Sequence, residues 1–405
     1  MMDNDLKQLL KIEKYRQKNT IELIASENFV SKEIMKLAGS VFTNKYAEGY
    51  PDNRYYGGCA VVDKVEEIAK KRLLSIFRAE GYHANVQPHS GSQANMAVYK
   101  AVLSIDVTIL SMDLNSGGHL THGSPVSFSG KEYNIISYGL KDDETIDYDD
   151  MLAKAKKYKP KMIVVGASAY TRLIDYKKCK EIADSVNAYL MCDVAHVAGL
   201  IVTGLHPSPV GLADFITSTT HKTLRGPRGG VILCKEEYKE AIDKAVFPGI
   251  QGGPLMHIIA AKAQCFYEAS RPEFFEYQQQ VVKNIKAMEN VFVKNKVKLV
   301  SGGSDNHMLL INVKDSFGVT GKEAEQILEE IGIACNKNML PFDTTKASIT
   351  SGVRIGSAAM TTKGFKEKEF NEIANIIIDC LGGKQRKEDL KERVNKLLFR
   401  WIINI

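Results

Sequence analysis

Residues 162–234 read MIVVGASAYTRLIDYKKCKEIADSVNAYLMCDVAHVAGLIVTGLHPSPVGLADFITSTTHKTLRGPRGGVILC. Four short apolar or β-branched runs punctuate this stretch, at 162–166, 189–192, 215–218 and 231–234, and residues 176–186 between the first two have helical spacing. Strands buried on both faces of a parallel sheet look like these runs. Strand–helix alternation then predicts an α/β domain with a mostly parallel sheet.

The same alternation extends outward. Residues 61–77 and 92–103 read as helices, with short strands near Val86 and at 107–111. Residues 3–18 form an amphipathic pattern in which Leu6, Leu9, Leu10 and Ile12 interleave with Lys and Glu. A stretch rich in Asn, Gly, Tyr and Ser covers 26–58, and loops of that length tend to be functional. A long helical pattern at 255–293 breaks at the Arg271-Pro272 step, because proline disfavours a continuous helix. The domain junction is placed there: 1–270 as an N-terminal arm plus a large domain, and 271–405 as a small C-terminal domain. The latter is α+β, with strands at 298–300, 308–313 and 353–355 and helices at 321–331, 365–380 and 385–398. Two domains suit 405 residues, since single cores stop growing near ~250–300.

Net charge is +6, with lysines spread widely rather than clustered on one face, so nucleic-acid binding is not favoured. The seven cysteines are odd in number and form no CxxC pair, which argues against a disulfide framework or a structural zinc site. The first eighteen residues lack an apolar core of the secretory kind. No apolar run reaches the ~18 residues that span a bilayer. A cytoplasmic protein is expected.

Five stretches could carry chemistry. Pro88-His89-Ser90-Gly91-Ser92-Gln93-Ala94-Asn95 joins a strand to a helix; it reads equally as an N-cap or as an anion cradle at a helix N-terminus. Asp193-Val194-Ala195-His196 follows an apolar run directly, where ligands bind in open α/β sheets; Asp193 either pairs with a cation there or caps the next turn. Residues 219–230 set Lys222 among hydroxyls, with Arg225 and Arg228 near in sequence. Nearby cations and burial free a lysine amine as a nucleophile; the alternative is a basic surface loop, which rarely has this density of Gly, Thr and His at the end of a strand. His119-Leu120-Thr121-His122 lacks the further ligands a zinc ion needs. Its His119 suits a ring stacked on a cofactor or a packed histidine. Arg354, inside the β run of Thr350-Ser351-Gly352-Val353-Arg354, calls for an anionic partner, whether a ligand carboxylate or a structural one. One cofactor explains the set: pyridoxal phosphate needs a Schiff-base lysine, an acid at its pyridine nitrogen and a phosphate cradle. An amino-acid substrate adds the arginine.

The chain resembles the serine hydroxymethyltransferase (glycine hydroxymethyltransferase) family over nearly all its length. The matching stretches are IELIASEN at 21–28, TNKYAEGYPDNRYYGG at 43–58, NVQPHSGSQAN at 85–95 and GGHLTHGSPVSFSGK at 117–131. They continue with CDVAHVAGL at 192–200, THKTLRGPRGG at 220–230, FPGIQGGPLMH at 247–257 and TSGVRIG at 350–356.

The resemblance implies an aspartate-aminotransferase-like fold of type I and a homodimer or tetramer with active sites shared between subunits. It also implies pyridoxal phosphate as cofactor and interconversion of serine and glycine with tetrahydrofolate as co-substrate. Position by position, it implies Lys222 as the Schiff-base lysine, Asp193 at the pyridine nitrogen and His119 on the ring face, with Ser168 and His196 near the phenolic oxygen. Ser90, Gly91, Ser92, Thr219 and His221 match the cofactor pocket, and Tyr46 and Gly253 would reach the phosphate from the neighbouring subunit. Arg354 and Ser26 match the carboxylate site, Glu48 a proton-transfer group from the partner chain, and Tyr56 lines the same pocket. Leu114, Gly118, Leu120 and Asn338 match the folate region.

Departures from the family pattern are Ile105-Asp106-Val107 in place of a Pro-Gly-Asp turn, Lys363 where arginine is common, and the tail Phe399–Ile405. A folate-independent threonine aldolase is the nearest rival, and Glu48 and the 114–120 region weigh against it. A non-catalytic RNA-binding protein is the other, and the intact Lys222 stretch argues against it.

Overall fold

Asp3 starts the first helix, α1 (Asn4–Lys18): its carboxylate accepts from the backbone N–H groups of Asp5 and Leu6 at 3.0 and 3.1 Å, satisfying donors that have no helical partner. The computed structural model describes residues 2–402, and side chains through Phe399, so of the departing tail residues 403–405 lie outside the described residues. No residue of α1 is buried within the chain, and Leu6, Leu9 and Ile12 are more than half exposed. A two-residue strand, β1 (Ile21–Glu22), follows.

Residues 28–279 form one compact unit. It opens with α2 (Lys32–Ala38), the hairpin β2 (Gly49–Tyr50) and β3 (Asn53–Arg54), and α3 (Ala60–Phe77). Next come β4 (Tyr82–Asn85), α4 (Gly91–Val102), β5 (Thr108–Met112), α5 (Phe128–Glu132), β6 (Asn134–Tyr138) and α6 (Tyr148–Tyr158). The series continues with β7 (Met162–Val165), α7 (Tyr176–Ser185), β8 (Tyr189–Asp193), α8 (Ala198–Val202), β9 (Phe215–Thr219) and β10 (Gly230–Lys235). It closes with α9 (Lys239–Lys244) and α10 (Met256–Ala269).

Seven of these strands make one sheet in the order β4-β10-β9-β8-β7-β5-β6. Pairing is parallel from β9 to β6, and only β10 runs antiparallel to its neighbours β9 and β4. The carboxyl ends of β4, β5, β7, β8 and β9 therefore share one edge of the sheet, and β10 begins there. Met162, Val164, Met191, Phe215 and Ile232 pack with Ala94, Ala97 and Val98 of α4, all fully buried.

The remaining unit combines residues up to Glu27 with those from Gln280 onward. Its elements are the later part of α11 (Pro272–Lys294), β11 (Met308–Asn312), α12 (Val313–Phe317), α13 (Gly321–Glu330), β12 (Ile333–Ala334) and β13 (Asn336–Asn338). After these come β14 (Gly352–Gly356), α14 (Ala358–Thr362), α15 (Glu367–Leu381) and α16 (Lys387–Ile402). An antiparallel sheet β11-β14-β13 and the parallel pair β1–β12 pack against these helices. Phe292, Phe370, Ile373 and Ile377 are fully buried in its core, joined by Ile21 and Leu23.

The division differs from the one expected at residue 270. The first 27 residues belong with the C-terminal unit, because Ile21 N and Leu23 N donate to Gly332 O (3.0 Å) and Ala334 O (2.8 Å), and Gly356 N donates to Leu23 O (2.7 Å). Lys363 Nζ donates to the Gln17 and Thr20 carbonyls, so the lysine found in place of arginine ties this segment down. Residues 272–279 stay with the other unit, where Tyr277 and Gln278 bond Asn28 and Thr223. Three further differences concern elements. Residues 298–300 give a single bridge, Leu299 to Ile311, and a 3-10 turn, not a strand. The 26–58 stretch holds α2 and a hairpin, and 134–158 adds β6 and α6. β6 lies at the sheet edge, where partial exposure removes the apolar signature. Asp106 in the departing turn takes φ +65°, a conformation glycine adopts freely and aspartate tolerates.

Leu23→Ala should cost about 2–5 kcal/mol, as for a fully buried leucine. Urea unfolding of the chain should show it as a lower midpoint at unchanged slope; a loss below about 0.5 kcal/mol would refute the placement of this segment in the core.

Candidate active site

Asp193 ends β8 at the shared sheet edge, with its side chain nearly buried. Its carboxylate accepts from Asn95 Nδ2 (2.9 Å), His122 Nε2 (3.0 Å) and the Ala195 backbone N–H (3.1 Å). Burial alone would raise this acid, but the bond to His122, the neighbouring histidines and Asn95 hold it well below the usual carboxylate range. Asn95 is oriented in turn, because Thr217 Oγ1 donates to its Oδ1 at 2.6 Å and its Nδ2 also reaches Thr121 Oγ1 at 2.8 Å. His122 Nδ1 accepts from the His119 backbone N–H at 3.2 Å, which leaves Nε2 as the protonated nitrogen facing Asp193.

His119 lies beside this group. Its Nδ1 accepts from the Thr121 backbone N–H and meets the Thr121 hydroxyl at 2.7 Å. Burial lowers its pKa to about 4, against the pull of Asp193, so the ring is neutral near pH 7. The ligand atoms of His119, His122 and Asp193 lie within 4.8 Å of one another, and the His122–Asp193 hydrogen bond already links two of them.

Lys222 follows β9 in a loop closed by its own backbone. Thr220 N donates to Gly229 O (3.1 Å), Gly226 N to Thr220 O (2.7 Å) and Gly230 N to Pro88 O (3.0 Å). Asn28 Nδ2 donates to the Lys222 carbonyl at 3.0 Å, and Thr223 Oγ1 donates to His196 O at 2.8 Å, which joins the β8 and β9 loops. Arg225 does not sit over the lysine: its guanidinium stacks on Tyr277 at 4.4 Å. Ser90 caps α4 by accepting from Gln93 N–H at 3.2 Å, so the capping reading of Ser90 holds, and the same helix N-terminus faces the sheet edge. A Cβ on Gly230 would collide with the Ser90 carbonyl, and one on Gly91 would meet Thr219 Cγ2 at 2.7 Å; these backbones need glycine to approach.

Tyr46, Glu48, Tyr56 and Gly253 form a second constellation. Tyr46 donates to Glu48 Oε1 at 3.2 Å, its ring meets Tyr56 edge-on at 5.2 Å, and Gly253 lies under it. Tyr46 and Tyr56 are about half exposed. Arg54 anchors this loop on α3, bonding Asp63 (2.8 Å) and Glu66 (2.6 Å) and the carbonyls of Ala47 and Gly49.

Leu114 and Leu120 are exposed on the loop after β5, and Gly118 is buried there with no room for a Cβ against the Met112 carbonyl. Ser168, half-buried after β7, donates its N–H to Gly117 O at 2.7 Å. Ser26, Arg354 and Asn338 belong to the other unit. There Arg354, buried in mid-β14, bonds Asn336 Oδ1 through Nε at 3.0 Å, and burial lowers its pKa to about 10. Ala25 packs against Gly356 two residues on, and Asn338 pairs with Gly352.

These side chains fit pyridoxal phosphate. A buried carboxylate kept ionised suits a pyridinium, and a neutral buried imidazole suits a ring face. Thr219 Oγ1 and His221 Nδ1, buried at the start of the Lys222 loop, have no hydrogen-bond partner among the described residues, which buried polar atoms rarely tolerate. Sequence reasoning missed the roles of Asn95, His122 and Arg54. Helical spacing puts Asn95 on the same helix as Ser90, and His122 stands in a histidine pair, but neither pattern names Asp193 as the partner; nothing local marks Arg54.

Burial lowers His119 to about 4 and, with Lys222 and Arg228 adding repulsion, His221 to about 3. The unfolded chain takes protons on both near pH 6.5, so their contribution is full above that pH and is lost as pH falls towards 4 and 3. Cofactor-free protein should lose ~1.4 kcal/mol per histidine per pH unit in this window. Urea unfolding at pH 7 and pH 5 reads it, and a double variant His119→Asn with His221→Asn that kept the full slope would contradict the assignment.

The sequence model of the family described as serine hydroxymethyltransferase matches residues 1–377. Members use pyridoxal phosphate to convert serine and tetrahydrofolate to glycine and 5,10-methylenetetrahydrofolate. With more than nine-tenths of its length matched, the chain belongs to the serine hydroxymethyltransferase family.

Proposed function

We propose that the hydroxymethyl transfer runs at the carboxyl edge of the seven-stranded sheet, with Lys222 carrying the cofactor covalently. The observation that carries this reading is the buried, ionised Asp193 held by Asn95 and His122. When bound, the pyridine ring supplies an electron sink for negative charge at the substrate α-carbon. Asp193 would keep a proton on the ring nitrogen, and His119 would cover one ring face. Ser168 and His196 would lie near the phenolic oxygen. Ser90, Gly91, Ser92, Thr219 and His221 hold the phosphate side, joined by Tyr46 and Gly253 of the partner subunit.

Arg354, with Ser26, grips the substrate carboxylate in fork geometry. The partner subunit's Glu48 moves the proton at the serine hydroxyl, with Tyr56 lining that space. Leu114, Gly118, Leu120 and Asn338 receive the folate. A homodimer, or a tetramer of such dimers, is supported by the half-exposed Tyr46 and Tyr56 and by the apolar residues of α1 that nothing among the described residues covers. A cytoplasmic location is supported by seven cysteines that are all free thiols. No described helix is long and apolar enough to cross a membrane.

Borohydride reduction of the holoenzyme followed by peptide mapping should place the cofactor on Lys222; a label elsewhere would overturn the assignment. In Lys222→Ala the visible band of bound cofactor should be lost. Arg354→Ala should raise the serine KM about a hundredfold, on the scale of one charged bidentate contact. Glu48→Gln should lower kcat about 10²–10⁴-fold with cofactor affinity unchanged. If instead glycine and tetrahydrofolate together altered the visible spectrum no more than glycine alone, the folate-linked reading would fall.

A further inference from the structure

Lys262 is a lysine on α10 that is only 1% exposed. Lysines are almost never buried so completely unless paired. Among the described residues no carboxylate pairs it directly. Its Nζ donates to three backbone carbonyls, those of Val86 (2.7 Å), Pro88 (3.0 Å) and Gly230 (2.8 Å), using all three ammonium protons. Val86 and Pro88 lead from β4 into the Ser90–Ser92 turn, and Gly230 opens β10 after the Lys222 loop. The ammonium thus joins the two chain segments whose far ends form the cofactor's phosphate side.

The surroundings are otherwise spare of charge. Glu66 on α3 faces it, but that carboxylate is occupied by Arg54 (2.6 Å) and Gln87 Nε2 (2.9 Å). His89 and His221, one from each segment, both feel the lysine's positive charge. Burial lowers the Lys262 pKa to about 7, with Glu66 opposing; an anion nearby would restore its proton. Gly229 lies directly on the side chain, and a Cβ there would strike Lys262 Cε.

We propose that Lys262 is the positioning residue of the phosphate cradle: it gathers the Val86, Pro88 and Gly230 carbonyls behind the cradle, turns their negative ends away from the anion and places a fixed positive charge beneath it. It touches neither substrate nor reacting atoms. The inference rests on the reading that 88–92 and 219–230 receive the cofactor phosphate.

The test uses the full-length protein stripped of cofactor. Affinities for pyridoxal phosphate and for pyridoxal, which lacks the phosphate, are measured by fluorescence quenching in wild type, Lys262→Met and Ser90→Ala. Lys262→Met should lose about tenfold or more in pyridoxal phosphate affinity, the scale of one charged interaction, while pyridoxal affinity changes less than about twofold. Equal losses for both ligands would make the lysine purely structural, and no loss for either would make it dispensable; each result overturns the proposal. Should Lys262→Met fail to fold, Gly229→Ala displaces the ammonium with less disturbance and must show the same selective loss. A selective loss in Ser90→Ala without one in either lysine-site variant sinks this inference alone. Its absence in all three sinks the cradle reading itself.

Discussion

Strand direction is the constraint on which the site depends. Because β4, β5, β7, β8 and β9 run the same way, five loops leave the sheet at one edge, and each delivers a polar group that no single loop could assemble. The antiparallel β10 adds to this: it starts where the others end, so Gly230 meets the Ser90 carbonyl at the entrance to α4. Small residues at these crossings let the backbones converge on an anion-sized space at a helix N-terminus.

Convergence brings charges into the interior, and the fold manages each with a specific partner. Asp193 is compensated by hydrogen bonds from Asn95 and His122, not by a full counter-charge, which leaves its electrostatic pull for a bound cation. Arg54 and Glu66 are almost fully buried together, with side chains 3% and 1% exposed. Losing one partner of such a pair strands the other, at about 3–5 kcal/mol. That pair also fixes the loop bearing Tyr46, Glu48 and Tyr56. Lys262 takes a third route, spreading its charge over carbonyl dipoles. Rigid placement of exposed functional groups here comes from buried polar anchors.

The C-terminal unit shows the same economy with apolar contacts. The N-terminal segment enters its core through Ile21 and Leu23 and is held by backbone bonds to residues 332, 334 and 356. Ser26 follows directly, and Arg354 lies on the strand that Leu23 bonds. The carboxylate-binding residues taken from the family resemblance are therefore far apart in sequence yet belong to one folded unit.

The sequence by itself determined the strands with strong apolar runs, the helices with clear periodicity, and the residues whose chemistry is written in local motifs: Lys222 after β9, Asp193 after β8, Ser90 at the start of α4. These are short-range properties, set by side-chain period and by turn residues. Only the tertiary structure decided the partners. His122 was legible as half of a histidine pair, but its bond to Asp193 spans 71 residues. Lys262 sits in an ordinary helical pattern, and only the fold encloses it. The unit boundary fell differently because Ile21 pairs with Ile333, a contact between distant segments that no local pattern encodes. Long-range pairing depends on which surfaces the whole chain buries together, and burial is what turns an ordinary polar residue into one that must find, and hold, a particular partner.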